Sequence, residues 1–246
     1  MAHGIREKEH FTFISEGLKL RGFIAVPESS LPTLPSVQIH HAGGGYSAVY
    51  EHMAVDLARN GFVGVTIVHR GYPGSEGSME YGKGEIVDIG NLTEFMMAKP
   101  FINHAGMGIM GYSRGAHNAA LALERYHYFC AGVLWSTPVD MIDHVEVNPW
   151  IADLIGGYSD KFPQEYRIRS SINFVDAIKC PLLLLHGEDD DVVPVRHSLR
   201  LAEALRQRNK PFELKLFPGE GHIWSPRAFE RNWRLTVDFF SRHCLS

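Results

Sequence analysis

Short, continuously apolar runs alternate with helical segments along most of this chain. Residues 62–68 and 182–185 contain almost no polar side chains, which is typical of parallel strands covered on both faces. Strong helix formers or helical periodicity occupy residues 50–60, 85–98, 116–126, 198–207 and 229–240. This alternation predicts an α/β architecture with a mostly parallel, doubly wound sheet.

The full pattern predicts eight strands. Residues 11–14 and 18–26 alternate apolar and polar side chains around a short Gly-containing turn, which indicates an antiparallel hairpin at the start of the sheet. The remaining strands are expected at residues 37–41, 62–68, 107–110, 132–135, 182–185 and 212–216. At 246 residues, the chain is expected to form a single α/β domain over residues 1–246.

One stretch does not fit the alternation. Residues 137–178, between the sixth and seventh strands, are longer than an ordinary crossover needs. Short helical patterns occur within this stretch, so we expect a small, lid-like helical insertion. It would lie over the carboxyl ends of the strands, where open α/β sheets bind ligands.

Composition limits the partners and the compartment. The net charge of −4 gives no reason to expect nucleic acid or an anionic membrane as a partner, and no apolar run is long enough to span a bilayer. The polar N-terminus does not resemble a signal peptide. Three cysteines without a C-x-x-C or zinc pattern, Cys130, Cys180 and Cys244, predict reduced thiols and a cytoplasmic location. The oligomeric state stays open.

The chemistry is carried by a serine motif at a strand-to-helix turn. Residues 111–115 read G-x-S-x-G, and Ser113 lies between the strand at 107–110 and the helix at 116–126. Glycines on both sides of the serine allow the strand and the helix to approach closely. A serine hydroxyl is a poor nucleophile at neutral pH and needs a base, which a carboxylate orients. Ser113 is therefore the candidate nucleophile.

Two later motifs supply candidates for the acid and the base, in the order serine, acid, histidine. Residues 186–190 read H-G-x-x-D, and residues 219–222 read G-x-G-H. His222 is the preferred base because it follows the last strand in a glycine-rich loop, with His186 as the alternative. The run of three carboxylates at 189–191 leaves the acid open on spacing alone.

A developing oxyanion needs preorganised hydrogen-bond donors. One is expected to be the backbone N–H of Arg114, which follows the nucleophile. The second is expected from Gly43, or else Gly44, in the glycine-rich loop after the third strand. A phosphate-binding role for that loop is disfavoured because no Lys-Ser/Thr pair follows it.

The insertion supplies candidates for substrate contacts. Trp150 and Ile151 are apolar and could contact an acyl group, although packing of the insertion onto the sheet would explain them equally well. No cluster of His, Cys or carboxylates has the spacing of a metal site. We therefore expect neither a metal nor an organic cofactor.

Together these motifs resemble the α/β-hydrolase superfamily. Within it, they are most similar to the catalytic domain of the prolyl-oligopeptidase-like group and to dienelactone-hydrolase-like esterases. The resemblance covers about residues 10–243 and includes Val193-Pro194 after the acid, F-P-G-E-G-H at 217–222 and Arg70-Gly71 after the fourth strand. It implies that Asp190 is the acid of a Ser-Asp-His triad. It also makes His41 a candidate side-chain donor to the oxyanion or substrate.

These groups predict a serine hydrolase that works through an acyl-enzyme intermediate. Peptidases of the group usually carry an N-terminal β-propeller, for which we expect no room in this chain, and residues 41–45 read H-A-G-G-G where many relatives have H-G-G-P or H-G-G-G. Both departures favour hydrolysis of small carboxylic esters with short acyl chains. The alternative is a peptidase or acyl-aminoacyl hydrolase of small peptides, and a non-catalytic binding relative is a third possibility.

Overall fold

The framework of the computed structural model, which describes residues 3–245, is an eight-stranded sheet. Its strands are β1 (Ile5–Ser15), β2 (Leu18–Pro27), β3 (Leu34–His40), β4 (Val63–Ile67), β5 (Ile102–Tyr112), β6 (Ala131–Trp135), β7 (Leu182–Gly187) and β8 (Phe212–Phe217). They lie in the order β1-β2-β4-β3-β5-β6-β7-β8. The β1–β2 and β2–β4 pairings are antiparallel, whereas all others are parallel.

Helices cover both faces of this sheet. They are α1 (Ala48–Arg59), α2 (Gly84–Met97), α3 (Arg114–Arg125), α4 (Met141–Val147), α5 (Ile151–Ile155), α6 (Pro163–Ile168), α7 (Arg196–Gln207) and α8 (Pro226–Cys244). The core on one face contains α1 and α8, and the core on the other contains α2, α3 and α7. Each central strand therefore buries both faces, which explains its continuously apolar sequence. The doubly wound α/β prediction is confirmed.

Two strands begin five or more residues earlier than the sequence indicates. β1 begins at Ile5 rather than at residue 11, and most of the added residues have exposed side chains. Main-chain pairing with β2 holds this edge segment in the sheet, so hydrophobic alternation gives no sign of it. β5 begins at Ile102, and its register against β3 shifts before Met107.

The segment 137–178 is helical, as expected. It contains α4, α5, α6 and two 3₁₀ turns, Ser171–Asn173 and Val175–Ala177. The sequence pattern does not predict α4, whose signal is the N-cap Asp140, a carboxylate that accepts backbone N–H bonds from Ile142 and Asp143. These helices share an apolar cluster made of Tyr81, Met141, Val145, Ile151, Ala152, Ile155 and Tyr166.

The prediction of reduced thiols is wrong for two of the three cysteines. Cys130, just before β6, and Cys244, at the end of α8, form a disulfide with their Cα atoms 6.1 Å apart. Their sequence separation of 114 shows why spacing along the chain gives no sign of the pairing, which depends on where α8 crosses the sheet. Cys180 is a buried free thiol. The prediction of a cytoplasmic location was based on reduced thiols and therefore loses this support.

Within residues 3–245, every helix is too short or too polar to cross a membrane.

Candidate active site

Ser113 lies in a strained turn between β5 and α3. Its backbone has φ 55° and ψ −118°, a conformation that a non-glycine residue rarely adopts. A Cβ at Gly111 would lie 2.2 Å from the Gly115 carbonyl carbon, and a Cβ at Gly115 would lie 2.1 Å from the His40 carbonyl oxygen. Only glycine allows this close approach. The turn is held because the Ser113 N–H donates to the Trp135 carbonyl at 2.8 Å.

Ser113, His222 and Asp190 form a continuous hydrogen-bonded chain. His222 Nε2 lies 2.9 Å from Ser113 Oγ, and His222 Nδ1 lies 2.8 Å from Asp190 Oδ2. Because an ionised carboxylate only accepts hydrogen bonds, the proton of a neutral imidazole lies on Nδ1. Nε2 is then free to accept the serine proton, which is the arrangement that a nucleophilic serine needs.

Asp190 is held as a carboxylate. Burial would raise the pKa of Asp190, but hydrogen bonds from His186 and His222 outweigh it and hold that pKa below its usual range. Its Oδ1 also accepts the backbone N–H groups of Val192 and Val193, at 3.1 and 2.7 Å. The neighbouring carboxylates at 189 and 191 are exposed. The geometry therefore separates Asp190 from the two acids beside it.

The loop that carries His222 is fixed from two sides. The Tyr112 hydroxyl donates to the His222 carbonyl oxygen. A Cβ at Gly187, the last residue of β7, would lie 2.3 Å from the Glu220 carbonyl oxygen, so the end of β7 and the histidine loop are in backbone contact. This contact holds the acid loop and the base loop against each other.

In the turn at residues 42–45, two backbone N–H groups have no acceptor among the described residues 3–245. The Ala42 N–H donates to the Tyr50 hydroxyl at 2.9 Å, and the Gly45 N–H donates to the Ala42 carbonyl at 3.1 Å. The N–H groups of Gly43 and Gly44 remain, and both residues line the pocket beside Ser113.

The Arg114 N–H is a third donor at this place. It lies in the first turn of α3, where helical N–H groups lack intrahelical acceptors. The Arg114 guanidinium is neutralised by buried Glu85, with Arg114 Nη2 2.6 Å from Glu85 Oε1. It also contacts the Tyr72 hydroxyl at 3.1 Å, and that hydroxyl donates to the Gly43 carbonyl at 2.8 Å. The predicted oxyanion donors are thus linked through side chains.

His41 is not available as a side-chain donor to substrate, contrary to the prediction. Its Nδ1–H donates to the Ala42 carbonyl at 2.8 Å, and its Nε2 accepts the His69 N–H at 3.1 Å. The ring is buried, and the residue does not line the pocket. Burial lowers the pKa of His41 to about 4, so the ring is neutral and both nitrogens are occupied.

The two predicted substrate contacts from the insertion, Trp150 and Ile151, lie in different surroundings. Trp150 lines the pocket and is 55% exposed, whereas Ile151 is fully buried in the cluster of the insertion. The prediction that Ile151 contacts the acyl group is wrong because its side chain packs among the short helices.

The pocket beside Ser113 is mostly apolar and has a volume of about 290 Å³. Its lining contains no carboxylate, and its one guanidinium, that of Arg114, is paired with Glu85. Sequence reasoning missed several of the residues that shape it, since they lie outside the motifs or, like Tyr112, at a variable motif position. They are Tyr81, Tyr112, His144, Asn148, Val192 and Ile223. Among residues 3–245, no group of three or more His, Cys, Asp or Glu side chains is arranged to hold a metal ion.

A family model described as the prolyl oligopeptidase family, Peptidase_S9, matches residues 49–246. The chain belongs to this family. It is accordingly a serine hydrolase, as the motifs predicted, and the α/β-hydrolase resemblance is confirmed.

Individual relatives agree with this placement. The chain is 29% identical to the uncharacterized peptidase YtmA of Bacillus subtilis, over 89% of this chain and 87% of the relative. A puromycin-hydrolyzing peptidase of Mycobacterium tuberculosis superimposes with a TM-score of 0.88 at 22% identity, over 97% of this chain and 39% of that chain. The acylaminoacyl peptidase of Pyrococcus horikoshii gives 0.86 at 24%, over 97% and 42%.

Most of these proteins are much longer than the part that matches. The chain covers 29–40% of the length of seven further curated relatives, among them acylamino-acid-releasing enzymes. The family and the relatives favour the peptidase alternative over the ester hydrolase that the sequence first suggested.

Proposed function

We propose that this chain is a serine peptidase that hydrolyses the amide bond of small aminoacyl or acyl-aminoacyl substrates. The observation that carries the proposal is the complete hydrogen-bonded chain from Asp190 through His222 to Ser113, in a member of a peptidase family. The amine of an amide bond is a poor leaving group unless its nitrogen is protonated. A histidine that has just accepted the serine proton can supply that proton.

In the proposed reaction, Ser113 Oγ attacks the carbonyl carbon while His222 Nε2 takes the hydroxyl proton. The oxyanion accepts hydrogen bonds from the backbone N–H of Arg114 and that of Gly43 or Gly44. His222 then protonates the leaving amine, and the C–N bond breaks to give an acyl-enzyme. Water, activated by His222, releases the acid and restores Ser113. The ionised Asp190 stabilises the imidazolium in both halves.

The pocket supports an uncharged, apolar residue at the acyl position. Its walls present the rings of Tyr81, Tyr112 and Trp150 and the aliphatic chains of Val192 and Ile223. No unpaired charge among the described residues lines it, so burial of a charged substrate side chain there would be costly. We therefore take N-acetyl-phenylalanine derivatives as the test substrates.

The test compares kcat/KM for N-acetyl-phenylalanine p-nitroanilide with that for p-nitrophenyl butyrate. We expect anilide hydrolysis well above background, and loss of both activities and of fluorophosphonate labelling in Ser113→Ala. The Ser113→Ala protein also gives the background for the assay. Ester cleavage without any anilide cleavage above that background would contradict the peptidase proposal and restore the ester hydrolase.

A further inference from the structure

Tyr81, which no motif singles out, has a strained backbone in the wall of the pocket. Its φ is 52°, and its side chain is almost fully buried. Such conformations cost free energy, persist only where the surroundings enforce them, and cluster at functional sites. Here the Tyr81 N–H donates to Glu85 Oε1 at 3.1 Å, and Arg169 Nε donates to the Tyr81 carbonyl at 2.9 Å.

Glu85, which accepts the Tyr81 N–H, also contacts the residue beside the candidate nucleophile. Glu85 Oε1 accepts a hydrogen bond from Arg114 Nη2 at 2.6 Å, and the Arg114 guanidinium carbon lies 4.9 Å from the centre of the Tyr81 ring. Arg114 directly follows Ser113. The position of Tyr81 is therefore coupled, through one buried carboxylate, to the turn that holds the serine.

The Tyr81 hydroxyl has one protein partner, His144, at 3.1 Å from Nε2. Which of the two donates follows from Asn148. The Asn148 side-chain nitrogen donates to the Val192 carbonyl at 2.9 Å, and this amide orientation is forced because a carbonyl can only accept. The remaining proton of this nitrogen is shared between His144 Nδ1 and the His144 carbonyl oxygen, each at 3.4 Å. A proton on Nδ1 would face this N–H donor, so we assign Nδ1 as the nitrogen without a proton.

His144 is a neutral imidazole, because burial lowers its pKa to about 3. Its single proton must then lie on Nε2, which donates to the Tyr81 oxygen. The proton of the Tyr81 hydroxyl is left without an acceptor among the described residues 3–245, although both Tyr81 and His144 line the pocket. A buried O–H group without an acceptor is costly unless a ligand supplies one.

We propose that the Tyr81 hydroxyl donates a hydrogen bond to an oxygen of the substrate's acyl residue and so determines specificity. Most of the remaining wall is aromatic and aliphatic. The matching acyl residue is therefore an uncharged aromatic ring with one acceptor oxygen at its edge, as in tyrosine. His144 and Asn148 act as positioning residues that turn this hydroxyl towards the pocket. The inference rests on the proposed function only in that Ser113 forms an acyl-enzyme.

The experiment measures kcat/KM for matched N-acetyl-tyrosine and N-acetyl-phenylalanine substrates in wild type and Tyr81→Phe. We expect wild type to prefer tyrosine by about 3- to 10-fold, as one added neutral hydrogen bond implies. Tyr81→Phe should lose that preference, so that the ratio of kcat/KM for the tyrosine and phenylalanine substrates falls to about 1. Tyr158→Phe is the matched control, since this tyrosine is exposed and lies outside the pocket. An unchanged preference in Tyr81→Phe would overturn the proposal.

The positioning role of His144 has its own readout. His144→Gln keeps an N–H that can reach the Tyr81 oxygen and should retain the tyrosine preference, whereas His144→Leu should lose it. Equal preference in the two variants would contradict this role. If Tyr81→Phe does not fold, ¹⁵N NMR of the wild-type protein can identify which ring nitrogen of His144 carries the proton. We expect Nε2, and a proton on Nδ1 would overturn the inference.

The substrates are prepared both as p-nitroanilides and as p-nitrophenyl esters. Tyr81 is proposed to contact the acyl residue, which the two series share. If the anilides are not cleaved, the peptidase proposal fails, but the ratio of tyrosine to phenylalanine esters still tests Tyr81.

Discussion

Asp190 shows how much one side chain's surroundings decide at the residue scale. Three consecutive aspartates are indistinguishable by composition, yet only Asp190 is buried and lies 2.8 Å from His222 Nδ1. Its neighbours at 189 and 191 point into solvent. The lowered pKa of Asp190 means that it stays ionised throughout the neutral range, so it can stabilise an imidazolium at any pH at which the chain is folded.

Asp190→Asn should lower kcat by about 10⁴-fold, because the amide no longer holds the required histidine tautomer. Asp189→Asn and Asp191→Asn are matched controls that should stay within about 2-fold, since exposed carboxylates at this distance act weakly through solvent. The measurement is kcat on a p-nitrophenyl ester. An Asp190→Asn enzyme with near-normal turnover would remove Asp190 from the mechanism.

The motifs could predict the serine, the base and the glycines of the oxyanion loop, because tight turns and fixed spacing constrain their sequence. The pocket wall could not be predicted in the same way. Trp150 precedes α5 and Ile151 begins it, and which of the two side chains faces the pocket depends on how α5 packs against its neighbours. His41 is a similar case, since its two ring nitrogens are taken by backbone groups.

At the scale of elements, the Cys130–Cys244 disulfide joins the start of β6 to the end of α8. α8 is the last helix on its face of the sheet and carries Phe239 and Phe240 into the core. A cross-link that closes a loop of more than 100 residues constrains the unfolded chain strongly. The disulfide thus stabilises the docking of α8 in addition to its apolar contacts.

Reduction of this disulfide, or the Cys130→Ser/Cys244→Ser double variant, should lower the free energy of unfolding by about 2–5 kcal/mol. Urea unfolding with and without reductant measures the change, and the double variant should not respond to reductant. A thiol assay under non-reducing denaturing conditions should detect one thiol, that of Cys180. Three thiols would show that the cysteines are reduced, as their number first suggested.

Element positions were predictable to the extent that burial shapes sequence. The central strands are apolar on both faces, and their existence and order along the chain follow from that pattern. Edge strand β1 and the short helix α4 were not predictable in full, because main-chain pairing holds the first and an Asp140 cap begins the second. Neither leaves a periodic apolar signal.

At the scale of the whole molecule, several histidine side chains are buried. Burial is the main cause that lowers the pKa of six buried histidines below the ordinary value of 6.5, to about 3 or 4 in five of them. These residues are His40, His41, His69, His117, His144 and His197. The folded state keeps them neutral, whereas the unfolded chain takes up protons as the pH falls below 6.5.

These histidines should therefore make the fold less stable as the pH falls below 6.5. At pH 5, one histidine that burial keeps neutral costs about 2 kcal/mol relative to pH 8, which is already a large fraction of the stability of a typical domain, about 5–15 kcal/mol. We expect the melting temperature, followed by circular dichroism at constant ionic strength, to fall steeply between pH 6.5 and 5. A melting temperature that stays level from pH 8 to pH 5 would contradict the neutral, buried state of these rings.

The hydrogen bond between Ser113 and His222 spans 109 positions of the chain, whereas that between His222 and Asp190 spans 32. Contacts between distant residues form late, because loop-closure entropy opposes them until the rest of the structure compensates. A refolding chain can thus regain its helices and its first strands while its serine still lacks a base. A fluorophosphonate, which reacts with an activated serine, therefore counts only the molecules that have completed their folding.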